Sequence, residues 1–176
     1  MLKGGHMYYQ ILSQCIHSLT QIEAWLDKAE QYATDKKFDV NILMHSRLAP
    51  DMKDFIYQVT SACDYVKAGS ARLTGQTPPK HEDTEQTIEE ARDRIKKTIT
   101  FAESVKEVQF ERAGEHMITV SWQPGKLIRG EDYLLQIIIP NFFFHLTTAY
   151  NILRHNGVEI GKMDYLGSMN FVEITR

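Results

Sequence analysis

The chain of 176 residues lacks the features that mark several protein classes. It has two cysteines, Cys15 and Cys63, and neither a CxxC pair nor a Cys/His zinc spacing, so we expect neither a disulfide framework nor a zinc finger. No apolar run reaches the roughly 20 residues of a membrane span. The longest one, residues 134–146, is interrupted by Gln136, Pro140, Asn141 and His145. With no apolar signal-peptide core near its start, the chain is expected in a reducing, cytoplasmic setting, with no membrane partner.

The chain also lacks an excess of charge of one sign. Its 20 basic residues oppose 23 acidic residues, which gives a formal net charge of −3. Nucleic-acid binders usually carry a basic excess or stripe, so we expect no nucleic-acid partner. The sequence contains no P-loop, GxGxxG, HExxH or nucleophile-elbow motif that would assign an activity.

What the chain does have is the composition of a globular domain. Apolar residues make up 43% and charged residues 24% of it, which is typical of a folded protein rather than a disordered one. At this length a single domain is the default, and we assign it to residues 7–176. Residues 1–6 (MLKGGH) look like a cloning leader before a native start at Met7.

Four segments have the three- and four-residue apolar spacing of amphipathic helices. We predict them at about residues 8–34, 51–73, 84–105 and 131–155, with a capping box at Thr87 near the start of the third. Pro140 is predicted to kink the fourth helix, because it lacks a backbone N–H. Residues 158–176 are predicted to be an irregular tail that packs across one end of the helices.

Between the third and fourth helices the period changes. Residues 117–122 are β-prone, residues 123–126 form a turn signal, and residues 127–129 can return as a second short strand. The sequence therefore predicts an all-α fold, a four-helix bundle with a small β-hairpin inserted before the last helix.

The first candidate site lies on the fourth helix. His145 shares its apolar stripe, so an ionisable side chain is predicted to face the bundle core. Asn141 is four residues earlier on the same face, which lets the two side chains converge on one metal or one ligand. The alternative is a buried histidine that is hydrogen-bonded to a neighbour.

The second candidate lies at the start of the second helix, where Asp51 and Gln58 can face the same side. Asp51 could instead serve only as a helix cap. Gln58 could be a hydrogen-bond partner rather than a metal ligand, because carboxamides are poor transition-metal ligands beside imidazole.

Aromatic residues cover nearly every face of the fourth helix: Phe142, Phe143, Phe144 and Tyr150. A helix that is apolar all round is buried. The hairpin, the tail or a second chain must therefore cover part of it, and we expect a homodimer because exposed apolar patches usually mark interfaces.

Residues 141–158 (NFFFHLTTAYNILRHNGV) resemble the last helix of the DinB/YfiT-like superfamily. The resemblance spans residues 7–167. Together with segments such as residues 47–52 (RLAPDM), it indicates an uncharacterised bacterial branch, a domain of unknown function. It implies a four-helix bundle, often dimeric, in which many members hold a divalent metal with three histidines.

The resemblance also implies where a metal would sit. The last helix of the superfamily carries HxxxH followed by an arginine and a glycine, and His145, Arg154 and Gly157 fit this pattern, whereas Asn141 replaces the first histidine. The third histidine belongs on the second helix, where Gln58 is the approximate counterpart. The resemblance makes a divalent metal a possible cofactor. A zinc site needs three protein ligands, and this ligand set does not supply them. His145 is the one candidate metal ligand.

Two functions follow from this interpretation. The first is a small-molecule-binding or structural bundle whose three-histidine metal site is degenerate. The alternative is a metal- or thiol-dependent transferase or hydrolase with a rearranged site, in which Asp51, His145 and His45 supply ligands or acid–base groups. The sequence leaves the cofactor, the substrate and enzymatic activity itself open.

Overall fold

The computed structural model describes residues 4–174 and contains the predicted bundle. Its helices are α1 (Gly4–Lys36), α2 (Asn41–Met44), α3 (Phe55–Arg72), α4 (Ile88–Ser104), α5 (Gly130–Asp132), α6 (Ile139–His155) and α7 (Lys162–Leu166). Two strands, β1 (Met117–Ile118) and β2 (Ile128–Arg129), form the hairpin before the last long helix. The predicted DinB-like all-α bundle with a small hairpin is confirmed.

Burial of apolar side chains holds the bundle together. Helix α3 packs against both α6 and α4, and α1 packs against α3 and α4. One core cluster surrounds Trp25, Phe55 and Phe142, and a second one under the hairpin includes Phe110 and Tyr133. Within residues 4–174, no helix combines the length and the apolar character needed to cross a membrane.

The second long helix starts later than the sequence pattern predicted. Asp54, not Asp51, is its N-cap, and the Asp54 carboxylate accepts a hydrogen bond from Tyr57 N at 3.1 Å. The chain turns before this point, because Met52 N donates to Ala49 O at 3.0 Å. Asp51 therefore lies outside the helix. The capping box of α4 is confirmed, since Thr87 and Glu90 exchange hydrogen bonds.

The fourth long helix contains a π-helical turn just before Pro140, and the predicted kink at Pro140 stays a prediction. A π-helical segment, Tyr133–Ile138, joins α5 to α6. Pro140 follows as the second residue of α6, in the interior of a helix that runs without interruption from residue 130 to residue 155. A π turn contains one residue more than an α-helical turn. Next to this segment, the side chain of Asn141 donates to Ile137 O at 2.7 Å.

The hairpin is shorter and the tail more ordered than predicted. Met117 pairs with Arg129 and Ile118 with Ile128, so the first strand ends well before Trp122, which is 63% exposed. In the tail, the short helix α7 covers α1, where Trp25 Nε1 donates to Asp164 O at 2.9 Å. This helix was not predicted from the sequence.

Part of the predicted leader lies in α1. Residues 4–6 are helical, and His6 Nδ1 lies 2.8 Å from Glu107 Oε1. Residues 1–3, 175 and 176 lie outside the described residues. The assignment of residues 1–6 as a leader and residues 7–176 as the domain stays a prediction.

Candidate functional site

The packing of α3 against α6 brings Gln58 and His145 together. Gln58 is buried, and its Nε2 donates to Lys53 O at 3.0 Å. This contact turns Gln58 Oε1 toward His145 Nδ1, 2.7 Å away. An amide oxygen only accepts hydrogen bonds, so the proton of the neutral imidazole sits on Nδ1.

The other ring nitrogen of His145 is left free. Burial lowers the pKa of His145 below its ordinary value of 6.5, so the ring is neutral at pH 7. Within residues 4–174, His145 Nε2 has no hydrogen-bond partner, and it is not among the atoms sealed from solvent. A neutral imidazole oriented in this way presents a lone pair that can accept a hydrogen bond or a proton.

Three aromatic rings surround the His145 ring. Tyr65 stacks on it at 5.7 Å between ring centroids, with an interplanar angle of 18°. Tyr57 and Phe144 meet it edge-on, at 6.1 and 5.2 Å. Tyr57 is 44% and Phe144 55% exposed, so these two rings form an open rim. We call His145, Gln58, Tyr57, Tyr65 and Phe144 the His145 site.

The two tyrosines add polar atoms to the His145 site. Burial, followed by the proximity of Tyr57 and Asp64, raises the pKa of Tyr65, so its hydroxyl stays protonated at neutral pH. Neither tyrosine hydroxyl forms a hydrogen bond within the described residues. Sequence reasoning missed both residues, although Tyr65 is seven residues from Gln58, which places the two on one face of α3.

The other predicted site residues do not hydrogen-bond to Gln58 or His145 within residues 4–174. Asn141 directs its amide to the backbone of its own helix, at Ile137 O. Asp51 is exposed in the turn before α3 and forms no hydrogen bond or ion pair with a described residue. His45 Nδ1 lies 3.6 Å from Asp54 Oδ2. Of the four predicted site residues, Gln58 and His145 are thus the two that hydrogen-bond to each other within residues 4–174.

These residues do not fit a three-ligand metal centre. The oxygen of Gln58 already accepts from His145, and a single imidazole nitrogen remains. Among residues 4–174, no group of three His, Cys, Asp or Glu side chains is placed to hold a metal ion. Catalytic zinc needs three protein ligands, and carboxamides bind transition metals poorly.

A second buried polar group lies between α3 and α4. The Arg94 side chain is 1% exposed and forms ion pairs with Asp64 (2.8 Å), Asp83 (2.9 Å) and Glu85 (3.0 Å). Its guanidinium also donates to Glu82 O at 3.2 Å. These contacts, which we call the Arg94 cluster, fasten the connector before α4 to α3. The sequence pattern did not predict them.

Comparisons with known proteins agree with this architecture. The profile of DUF1993, a domain of unknown function, matches residues 7–166. The fold is similar to that in the crystal structure of a DinB family member protein from Shewanella denitrificans. The TM-score is 0.92 and the sequence identity 45%, over 96% of this chain and 97% of that chain. A search of curated proteins finds no match. The resemblance that residues 141–158 indicated is confirmed, and the chain belongs to the DUF1993 family and has a DinB-like fold.

Proposed function

We propose that the protein binds a small molecule at the His145 site. The main support is the free nitrogen of an imidazole that Gln58 orients. Gln58 holds His145 Nδ1 at 2.7 Å, while Nε2 has no protein partner among the described residues, and the rings of Tyr57, Tyr65 and Phe144 lie around the imidazole. A polar atom held rigidly and left without a partner is the usual anchor of a small-molecule site.

The surroundings of Nε2 favour a flat, uncharged ligand with a hydrogen-bond donor. Tyr65 stacks on the imidazole, and the Phe144 ring, which is 55% exposed, meets it at a steep angle, and aromatic groups pack well against such rings. The neutral Nε2 accepts the donor, and the hydroxyls of Tyr57 and Tyr65 can add two further hydrogen bonds.

The alternative, a metal- or thiol-dependent transferase or hydrolase, would need Asp51 and His145 in one site. Asp51 instead lies in an exposed turn before α3, and the ligand set around His145 does not fit a three-ligand metal. Within residues 4–174, no contact favours a transferase or hydrolase over ligand binding.

A probe pair tests the proposal in solution. Indole is flat and carries one N–H donor, whereas naphthalene is flat and has none. In protein labelled with ¹⁵N-histidine, we expect indole to shift the Nε2 resonance of His145 in a saturable way and naphthalene to leave it nearly unchanged. His145→Ala should abolish the binding of indole.

The control is His155→Ala, which removes an exposed histidine from the same helix and should leave indole binding intact. Equal binding of indole by wild type and His145→Ala would contradict the proposal. So would stoichiometric zinc in protein purified without a histidine tag, if His145→Ala released that zinc.

We also propose that two copies associate. Phe144 is 55% exposed, and in the tail Phe171 and Val172 are 84% and 91% exposed. Apolar side chains left in water at this level are typical of interfaces. Sedimentation velocity across a hundredfold range of concentration tests this, and a monomer throughout the range would contradict it.

A reducing, cytoplasmic location stays our proposal as well. Cys15 and Cys63 are buried and free. Burial raises the pKa of both thiols to about 12, so neither is a reactive thiolate. Fractionation of the native host, with the protein outside the cytoplasmic fraction, would contradict this location.

A further inference from the structure

A second cleft lies at the far end of α3, between the helix C-terminus and the hairpin. It has a volume of about 330 Å³, and its polar lining residues are Arg72, Gln76, Thr77, His116 and Thr119. Arg72 is 14 residues beyond Gln58, so the two are about 20 Å apart along the helix axis. The cleft is therefore separate from the His145 site, and the inference does not depend on the proposed function.

Arg72 has a charge that no described carboxylate neutralises. Its Nη1 donates to the Tyr133 hydroxyl at 3.3 Å, and its guanidinium lies 5.9 Å from the centre of that ring. By contrast, Arg92, Arg94 and Arg112 each pair with at least one carboxylate. An arginine has five N–H donors, so most donors of Arg72 lack a protein acceptor within residues 4–174.

The His116 side chain lies against Gly75 at one edge of the cleft. The His116 ring packs on Gly75, where an added Cβ would lie 3.1 Å from the ring, and Gly75 has a φ of +73°. The carbonyl of His116 accepts from Gly130 N at 2.8 Å. The hydroxyls of Thr77 and Thr119 have no partner in the described chain, and no Asp or Glu is among the lining residues.

The C-terminus of α3 borders the cleft, and unpaired carbonyls at a helix C-terminus would repel an anion. Its last carbonyls already accept hydrogen bonds within the chain. Gly75 N donates to Arg72 O at 3.2 Å, and Gln76 N donates to Ala71 O at 2.8 Å. Capping in this way reduces the negative charge that a helix C-terminus presents.

We propose that this cleft binds a small oxyanion, a phosphate or carboxylate group, with Arg72 as the main ligand. A guanidinium binds such groups with two parallel, charge-assisted hydrogen bonds. His116, Thr77 and Thr119 supply further donors around the same space.

Titration of ¹⁵N-labelled protein with sodium phosphate tests the site, with sodium chloride at equal ionic strength and constant pH as the reference. We expect saturable shifts of the backbone amides of residues 75–77 and 116–119 with phosphate and not with chloride. A parallel titration with sodium acetate identifies the group, because tighter acetate binding would assign the cleft to a carboxylate. Shifts that match those of chloride for both anions would overturn the proposal.

Arg72→Gln should weaken binding at least tenfold. The matched control is Arg112→Gln, which removes an exposed arginine paired with Glu115 near the hairpin and should leave the affinity unchanged. Equal losses in both variants would show a nonspecific charge effect and overturn the site. If Arg72→Gln fails to fold, His116→Gln serves instead. A several-fold loss of affinity in that variant supports the site, and unchanged affinity overturns it.

Discussion

The Arg94 cluster and the His145 site are both polar groups packed against α3, but they differ in how they are satisfied. The buried guanidinium of Arg94 has three carboxylate partners within 3.0 Å. The imidazole of His145 has one carboxamide partner and a free nitrogen. A charge that protein carboxylates already neutralise gains little from binding a ligand. A neutral group with a free lone pair can still accept a hydrogen bond from a ligand.

The partners of Arg94 also show why a charge can be buried here. Asp64 and Asp83 keep 40% and 67% of their side chains exposed, whereas Glu85 keeps 12%. Two of the carboxylates therefore stay hydrated while they reach the guanidinium, which limits the cost of desolvation. Glutamine cannot neutralise a charge, but Gln58 can orient an imidazole, and orientation is its role at the His145 site.

The largest expected effect follows from removing the charge of Arg94. Arg94→Gln leaves Glu85 nearly buried without its partner, and breaking such a buried pair should lower the free energy of unfolding by about 3 kcal/mol. Urea denaturation followed by circular dichroism measures this loss.

Arg92 provides the matched control, because it lies two residues away and pairs with Glu23, Asp27 and Glu30 on the surface of α1. Since these pairs are more hydrated, Arg92→Gln should cost only about 1 kcal/mol. Equal losses in the two variants would mean that the Arg94 cluster is an ordinary surface network.

A smaller effect is expected at Gln58. Gln58→Leu keeps the volume but removes the partners of His145 Nδ1 and Lys53 O, which should cost about 2 kcal/mol. Asn141→Ala removes one hydrogen bond, to Ile137 O, and should cost about 1 kcal/mol. Differential scanning calorimetry compares the two, and a Gln58→Leu variant as stable as wild type would show that His145 needs no partner to stay in place.

The sequence predicted the bundle well because apolar spacing records which face of each helix is buried. His145 was found in this way, since it interrupts an apolar stripe. The N-cap of α3 was missed, because Asp51 and Asp54 both precede the helix, and only the turn at Met52 decides between them. Local spacing cannot make that choice.

The walls of the His145 site and the Arg94 cluster depend on contacts between distant parts of the chain. Tyr57 and Tyr65 become site residues only when α6 packs on α3, and Arg94 meets Asp64 across two helices. Single-sequence patterns report the buried face of a helix but not its neighbour across the interface. The His145 site shows the same limit, because the sequence offered a hydrogen-bonding role for His145 and for Gln58 but could not show that the two are each other's partners.

The smallest expected effect is a pH dependence that separates the two regions. Burial lowers the pKa of His145 below 6.5, and burial, followed by the charges of Lys67 and Arg94, does the same at His81 beside the Arg94 cluster. The unfolded chain then binds more protons than the folded one below pH 6.5. Stability is therefore full above pH 6.5 and falls as the pH drops toward the lowered pKa values.

Thermal unfolding at pH 7.5 and pH 5.5 measures this loss in wild type, His145→Gln and His81→Gln. Each variant should lose part of the acid sensitivity, and the two parts should add, because the two histidines share no hydrogen-bond partner within residues 4–174. His145 is surrounded by rings with no nearby carboxylate as a hydrogen-bond partner, so His145→Gln should remove the larger part. A larger effect of His81→Gln would reverse the comparison and make the Arg94 cluster, rather than the His145 site, the region of the bundle more sensitive to protons.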